Sequence, residues 1–221
     1  MKNWGLCFDG AESEGWVEPS EIQRYFTRHD GGYLFARWGR PIVPVVFGVD
    51  DATLSVVKGA IEAVTAMAGH QMSDMDPELG ANLLIFFFED WDELIETPDL
   101  DKLVPDLLPL VGRLKAEGAN RYRLFRFDDA GAIKAVFSFL KMDEALLSVP
   151  AGDLALAEAV QCFLLWAEEA FAVQGPLGVA SDRVILRPDI AAIVRAAYDP
   201  VMPDVAEDDS HALRMAARIA G

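Results

Sequence analysis

One uninterrupted apolar stretch constrains the fold of this chain more than any other feature of its sequence. Residues 82–88 read Asn-Leu-Leu-Ile-Phe-Phe-Phe, and Glu89 and Asp90 follow at once. The run has the length of a β-strand, and a strand that is apolar on both sides needs packing on both sides. The stretch therefore predicts a central strand in a sheet that is covered on each face.

The segment before this strand carries an edge-strand pattern and then a helix pattern. Residues 42–47 are rich in β-branched side chains, and Pro44 predicts an edge position or a bulge because proline lacks the N–H that a central strand donates. Apolar residues then recur at helical spacing from 54 to a stop near Gly69. Asp50 or Asp51 is suited to cap this helix.

The segment after the central strand predicts short helices and a hairpin. Residues 100–116 have a helical composition that Pro105 and Pro109 divide into pieces. Residues 121–127 alternate strictly, and a turn leads into a second strand at 132–140, which predicts a hairpin with one solvated face.

Helices dominate the rest of the chain. We expect a long helix at 153–173, a connecting loop, a helix from Pro188 that ends near Tyr198, and an amphipathic helix at 210–220. Together these elements predict an α+β fold in which a sheet packs against helices. The predicted organisation is an N-terminal arm at residues 1–32 and a single α+β domain at 33–221.

Composition excludes several classes of partner. The 221 residues include 36 Asp and Glu against 19 Lys and Arg, a formal charge of −17, and 52% of positions are hydrophobic. That hydrophobic content supports a sizeable core. The negative charge repels nucleic acids and anionic lipid surfaces, and there is no cluster of basic residues to offset it. We therefore expect no nucleic-acid partner.

The cysteines and the lengths of the apolar runs predict a cytoplasmic protein without a membrane segment. Cys7 and Cys162 stand too far apart in sequence for a metal-binding or redox pair, which favours reduced thiols. No secretory signal precedes Cys7, and no apolar run is long enough to cross a bilayer.

The predicted helix at 153–173 carries the candidate site. Its middle is apolar nearly all round, so an acidic side chain there needs a partner. Glu168 and Glu169 could pair with an arginine (Arg183, Arg187 or Arg195) or could line a cleft in which their proximity raises one pKa. The candidate cleft residues are Glu168, Glu169, Tyr198 and Gln161.

Several short stretches resemble a bacterial family of domains of unknown function, many of them putative lipoproteins. The stretches are Arg37-Trp38-Gly39-Arg40-Pro41 with the strand after it, residues 81–85, Cys162 followed by Glu168-Glu169, Gly178, and Asp189 with residues 195–200. The resemblance spans about residues 37–203. It implies a zincin-like core, similar to the half of zinc metalloproteases in which a sheet packs against a helix carrying His-Glu-x-x-His.

The sequence departs from that zinc motif in every frame. A base at Glu168 would have Ala167 and Phe171 at the ligand positions, and neither Glu169 nor Glu158 is flanked by histidine at that spacing. His29, His70 and His211 are far apart in sequence. We therefore expect a degenerate metal motif, no bound metal and no cofactor.

These observations favour a non-catalytic binding or interaction protein whose partner is an unknown protein or small molecule. The alternatives are a metal-independent hydrolase that uses the paired glutamates with Tyr198, a metalloprotease-like enzyme with an atypical site, and an assembly subunit whose apolar helices meet a partner chain. A homo-oligomer is compatible with each of them. If the hydrolase interpretation is right, the Tyr198 hydroxyl should lie within hydrogen-bond range of Glu168 or Glu169.

Overall fold

The computed structural model describes residues 17–221. Its helices are α1 Pro19–Phe26, α2 Asp51–Ala68, α3 Asp92–Glu96, α4 Leu100–Leu103, α5 Leu107–Ala116, α6 Glu144–Leu147, α7 Ala151–Phe163, α8 Pro188–Ala197 and α9 Ser210–Ala220. Its strands are β1 Phe35–Ala36, β2 Pro44–Phe47, β3 Leu83–Phe88, β4 Arg121–Phe127, β5 Ile133–Lys141, β6 Leu177–Ala180, β7 Arg183–Leu186 and β8 Val205–Ala206. The fold class is α+β, as predicted.

A four-stranded mixed sheet lies at the centre, in the order β2-β3-β5-β4. Strands β2, β3 and β5 are parallel, and β4 is antiparallel to β5. Ile85 lies opposite Val46 on one side and Ser138 on the other. The prediction that residues 82–88 form a central strand is confirmed, and Pro44 is on an edge strand, as its missing N–H requires.

The two faces of the sheet carry separate apolar cores because side chains alternate along each strand. Ile85 and Val136 belong to the core that includes α2, α7 and α8. Phe86, Phe88 and Phe137 belong to a second core with residues of α3, α4 and α5. This two-sided cover accounts for the continuous apolar run in β3.

Helix α2 begins and ends as its sequence predicts. The Asp50 side chain accepts a hydrogen bond of 2.7 Å from the Thr53 backbone N–H, which fixes the first turn. Gly69 follows the last turn with φ 64°, the left-handed conformation that closes helices and favours glycine.

The hairpin of β4 and β5 is present, but the prediction that one of its faces is solvated was wrong. Residues 133–140 of β5 are buried at nearly every position, and Arg123 of β4 contacts the buried Glu158 of α7. The alternating pattern indicates that the two faces of the hairpin have different surroundings, and in this fold helices pack against both faces. One environment is an apolar core and the other includes buried charged groups.

Residues 17–32 contribute to the core, although they were predicted as part of an arm. Ile22, Tyr25 and Phe26 of α1 are essentially inaccessible to solvent. Their recurrence three and four residues apart gives α1 one apolar face, and that face packs into the main core. The remainder of the predicted arm, residues 1–16, lies outside the described residues.

The predicted helix at 153–173 is the largest error. Helix α7 ends at Phe163, and Leu164 is extended, with φ −132° and ψ 155°. The chain then runs beside the N-terminal part of the protein, where Leu165 N–H donates to Ala36 O at 2.9 Å and Ala167 N–H donates to Tyr25 O at 2.8 Å. Glu168 and Glu169 therefore lie in a turn and not on a helix.

The segment that was predicted as a connecting loop before Pro188 contains a β-hairpin. Strands β6 and β7 form an antiparallel hairpin, and its turn residues Ser181 and Asp182 have φ 48° and 62°. Two consecutive positive φ values are the geometry of tight hairpin turns. Helices α8 and α9 match their predicted positions. Within residues 17–221, no helix combines the length and hydropathy needed to cross a bilayer.

Candidate functional site

The four residues of the predicted cleft do not come together as a group. Gln161 and Glu168 line the same cavity. Glu169 is exposed in the turn after α7, and Tyr198 is buried at the end of α8. Glu168 pairs with Arg28 and not with Arg183, Arg187 or Arg195, because the turn directs it toward the end of α1.

Tyr198 has a structural hydrogen bond in place of the predicted glutamate contact. Its hydroxyl donates to Phe163 O at 2.8 Å, and the Arg37 guanidinium stands over its ring at 5.3 Å. Burial raises the pKa of the Tyr198 phenol. The helix from Pro188 does end next to Tyr198, as predicted, but the residue caps α7 and contacts neither glutamate.

Three aromatic side chains satisfy carbonyl groups at the end of α7. Trp38 Nε1 donates to Cys162 O at 2.9 Å, Trp166 Nε1 donates to Val160 O at 3.1 Å, and Tyr198 donates to Phe163 O. The last carbonyls of a helix have no partner within the helix, so these donors stabilise its end. They also fix the direction in which residues 164–172 leave the helix.

A buried ion pair connects α7 to the sheet. Both Glu158 oxygens accept from Arg123 Nη1, at 2.8 and 2.9 Å, and the Ser138 hydroxyl donates to Glu158 at 2.6 Å. Arg123 Nη2 also donates to Gln161 Oε1 at 2.7 Å. Burial alone would raise the pKa of Glu158, but the positive charge of Arg123 and the Ser138 hydrogen bond lower it, so the carboxylate is ionised.

Cys162 belongs to the same cluster. Its Sγ lies 3.7 Å from Glu158 Oε1, and the side chain is fully buried. Burial and the neighbouring carboxylate raise the pKa of the thiol well above its ordinary value. A thiol in this state is a weak nucleophile. Cys7 lies outside the described residues.

A cavity of about 450 Å³ lies beside this cluster, between edge strand β4 and residues 164–172. Its lining consists of Arg28, Arg121, Tyr122, Arg123, Phe125, Gln161, Leu165, Trp166, Ala167, Glu168, Phe171 and Ala172. The volume is in the range of small-molecule sites, and aromatic walls with a few polar groups are typical of such sites.

The residues of β4 supply the charged wall because alternate side chains of a strand share one face. Arg121, Arg123 and Phe125 lie opposite Leu140, Ser138 and Val136 of β5. Ser138 contacts Glu158 of α7, so this face of the hairpin points toward α7 and the cavity.

Among the described residues, Arg121 is the arginine of this wall whose guanidinium lacks a hydrogen-bonded partner. Its Nε is buried without a hydrogen-bond partner in residues 17–221, and neither of its terminal nitrogens forms a hydrogen bond or ion pair there. Burial lowers the pKa of Arg121, the neighbouring charge of Arg123 lowers it further, and the charges of Glu158 and Asp143 partly oppose both effects. A guanidinium carries five donors, so Arg121 is available to bind an anion.

Arg28 fixes the other side of the cavity. Its Nη1 donates to Trp166 O at 3.2 Å, and its Nη2 pairs with Glu168 Oε1. His29 Nδ1 lies 3.5 Å from the same carboxylate oxygen. Burial alone would raise the pKa of Glu168, but the backbone N–H of Glu168 itself and the charge of Arg28 lower it. Glu168 is therefore an ionised carboxylate held beside the cavity.

A second cavity has charged residues whose partners are all within the protein. It has a volume of about 540 Å³ and lies beside residues 73–78. Arg40 pairs with Asp76 at 3.4 Å and with Glu78 at 2.9 Å, and Lys134 also reaches Glu78. Because these charges neutralise one another, this cavity offers an incoming ligand fewer unpaired charged groups than the cavity beside Arg121 does.

Two sequence signals could have located the arginines that the sequence analysis missed. Arg121 and Arg123 occupy alternate positions of a strand, so they had to share a face. Glu158 and Gln161 are three residues apart in an apolar helix and needed a partner. If the strand face with the arginines packs against the helix face with Glu158 and Gln161, the observed contacts of Arg123 follow.

Fold and cavity together define an α+β protein with an arginine-lined, aromatic-walled cavity at the edge of its sheet. Within residues 17–221, no three His, Cys, Asp or Glu side chains stand close enough together to hold a metal ion. Comparisons with models of protein families, with curated proteins and with solved structures found no match for the chain.

Proposed function

We propose that this chain is a non-catalytic binding protein for a small organic anion with an aromatic or apolar body. The observation that carries the proposal is Arg121, a partly buried guanidinium that lies in the wall of a ligand-sized cavity and has no hydrogen-bonded partner among residues 17–221. Desolvating a charged group without a partner is unfavourable, so such a group indicates that a ligand supplies the partner.

The surrounding walls supply the rest of the site. Trp166 and Phe171 stand in edge-to-face contact with ring centroids 5.0 Å apart, and both line the cavity. Aromatic rings in such a wall favour a flat apolar group on the ligand. A carboxylate, sulfonate or phosphate on that group would then accept hydrogen bonds from Arg121.

The total charge of the chain makes the arginine wall necessary for an anionic ligand. A formal charge of −17 repels anions from most of the surface. Arg123 is already neutralised by Glu158, and Arg28 by Glu168. Arg121 is the remaining guanidinium in the lining, so it supplies the local attraction.

The hydrolase alternative lacks support from the positions of its residues. Tyr198 donates to Phe163 O, and the ionised Glu168 pairs with Arg28, so neither is arranged as a general acid beside the other. The resemblance to a zincin-like family, the cytoplasmic location and the homo-oligomer remain predictions.

Isothermal titration calorimetry with phenyl phosphate, benzoate and benzyl alcohol tests the proposal. We expect the two anions to bind more tightly than benzyl alcohol. In Arg121→Met, the affinity for the anions should fall about 10- to 100-fold, the effect of losing a hydrogen bond to a charged group.

Arg126→Met is the matched control, since it removes the same charge from the other face of the same strand, where Arg126 donates to Leu103 O. Its affinity for the anions should equal that of the wild type. Equal affinities of the Arg121 and Arg126 variants, or no binding of any anion to the wild type, would overturn the proposed function.

A further inference from the structure

The Arg28–Glu168 ion pair is part of the cavity that contains Arg121. Arg28 and Glu168 both line the cavity, and the Glu168 side chain is 40% exposed. A ligand that enters the cavity therefore meets the Arg121 guanidinium, which has no partner among the described residues, and the Arg28 guanidinium, which already holds a carboxylate.

We infer that Glu168 is an internal competitor that occupies Arg28 and thereby selects ligands with a single negative charge. This inference rests on the proposed function, because it concerns the selectivity of the same site. A monoanion needs only Arg121. A dianion gains most if it also reaches Arg28, and it must then displace Glu168 and approach that carboxylate.

The ion pair is weak enough to be displaced. An ion pair with a substantially exposed carboxylate contributes little net free energy, because water solvates the separated charges well. A like charge brought close to Glu168 is repelled. Glu168 therefore disfavours the second charge of a ligand more than the first.

The wall of the cavity does not depend on Glu168. Leu165 N–H donates to Ala36 O, Ala167 N–H donates to Tyr25 O, and Arg28 Nη1 holds Trp166 O. These hydrogen bonds keep residues 165–167 in place when the carboxylate is neutralised. A change in binding after that substitution thus reports on charge and not on loss of the wall.

The test compares Glu168→Gln with Glu169→Gln, its sequence neighbour, which removes the same charge outside the cavity lining. Calorimetry at pH 8 would use phenyl phosphate as the dianion and benzenesulfonate as the monoanion. In Glu168→Gln we expect the affinity for phenyl phosphate to rise about three- to tenfold, and the affinity for benzenesulfonate to rise clearly less. Glu169→Gln should change neither affinity appreciably.

The double variant Arg28→Met/Glu168→Gln tests the route of the effect. Arg28→Met also removes the hydrogen bond to Trp166 O, so the double variant is compared with Arg28→Met alone. If the gain arises from the release of Arg28, Glu168→Gln should not increase the affinity for phenyl phosphate in the Arg28→Met background. Thermal unfolding of each variant would verify that it is folded.

The experiments distinguish a failure of the inference about Glu168 from a failure of the proposed function. If the wild type binds the probes through Arg121 but Glu168→Gln behaves as Glu169→Gln does, or binds phenyl phosphate more weakly than the wild type, the inference about Glu168 is wrong and the proposed function stands. If the wild type binds neither probe, or if Arg121→Met binds them as the wild type does, the proposed function itself is wrong.

Discussion

At the scale of single residues, Arg121 and Arg123 share a strand face but differ in their partners. Arg123 is neutralised by Glu158, whereas Arg121 Nε is buried without a hydrogen bond in residues 17–221. We therefore expect Arg121→Met to leave the free energy of unfolding unchanged or to raise it by up to about 1 kcal/mol, because methionine keeps the apolar stem and removes an unpaired charge. Urea denaturation measures this change.

Arg123→Met provides the contrast for that prediction. It leaves Glu158 buried without its cation and should lower the free energy of unfolding by about 3–5 kcal/mol. If Arg121→Met destabilised the protein as much as Arg123→Met, Arg121 would be a structural residue, and the argument for a ligand at Arg121 would lose its basis.

Some features of the candidate site could be predicted from local sequence patterns, and others could not. The need of a buried Glu158 for a partner follows from the apolar sequence around it, and the structure supplies Arg123. The identity of that partner depends on which strand packs against α7, a contact between residues 35 positions apart. Glu168 and Glu169 were predicted on the helix because adjacent glutamates after an apolar helical segment have the pattern of its continuation.

At the scale of elements, α7 shows a limit of helix prediction. Residues 164–172 contain helix-forming leucine, alanine and glutamate and no glycine or proline, so local propensity continues the helix. The helix ends because Trp38, Trp166 and Tyr198 satisfy its last carbonyls and because the next residues pair with residues 25 and 36. Two of those three donors come from distant segments, which a local pattern cannot indicate.

Tyr198→Phe tests this account of the helix end. The substitution keeps the ring and removes the hydroxyl, so Phe163 O loses its hydrogen bond in a buried place. We expect the free energy of unfolding to fall by about 1–3 kcal/mol. Tyr122→Phe is the control, since the Tyr122 hydroxyl makes no hydrogen bond in the part of the chain that the structure describes, and it should change stability by less than about 0.5 kcal/mol. Equal effects in urea denaturation would contradict the capping role.

The central position of β3 can be tested without a ligand, through the solubility of a variant. Ile85 is 1% exposed between two neighbouring strands, so Ile85→Asp would bury an unpaired charge. The cost of about several kcal/mol is comparable with the whole stability of a typical domain, about 5–15 kcal/mol. We expect the variant to accumulate in the insoluble fraction on expression.

Val179→Asp is the matched control for Ile85→Asp. Val179 lies in strand β6 and is 76% exposed, so the same kind of change there should leave the protein soluble. Soluble Ile85→Asp with a cooperative unfolding transition would refute the central position of β3.

At the scale of the whole molecule, the sequence predicted the types of most elements but not their arrangement. The apolar run of β3 required cover on both faces, and the structure provides two separate cores. The order β2-β3-β5-β4, with three parallel strands, was not predicted, because strand pairing joins segments that are far apart in sequence. The β6–β7 hairpin was missed because its turn has Ser181-Asp182 where Asn-Gly would be the usual signal.

The stability of the whole molecule should depend on pH through His211. The side chain is 2% exposed, its Nδ1 lies 2.8 Å from the Tyr33 hydroxyl, and its Nε2 has no partner in residues 17–221. Burial, together with the nearby Arg214 and Arg37, lowers the pKa of His211 from 6.5 to about 4. Between these two values the unfolded chain binds a proton that the folded protein does not.

Acidification from pH 6.5 toward 4 should therefore favour unfolding, and the contribution of His211 to stability is fully present only above pH 6.5. Around pH 5 the free energy of unfolding should change by about 1 kcal/mol per pH unit through this one group.

Urea denaturation of wild type and His211→Phe at several pH values between 5 and 6.5 measures this slope. The lowered pKa of His70 and the falling net negative charge affect both proteins alike, so the difference between the two slopes isolates His211. Identical slopes would mean that His211 takes up its proton in the folded protein and is not held neutral by its burial against Tyr33 and Phe35.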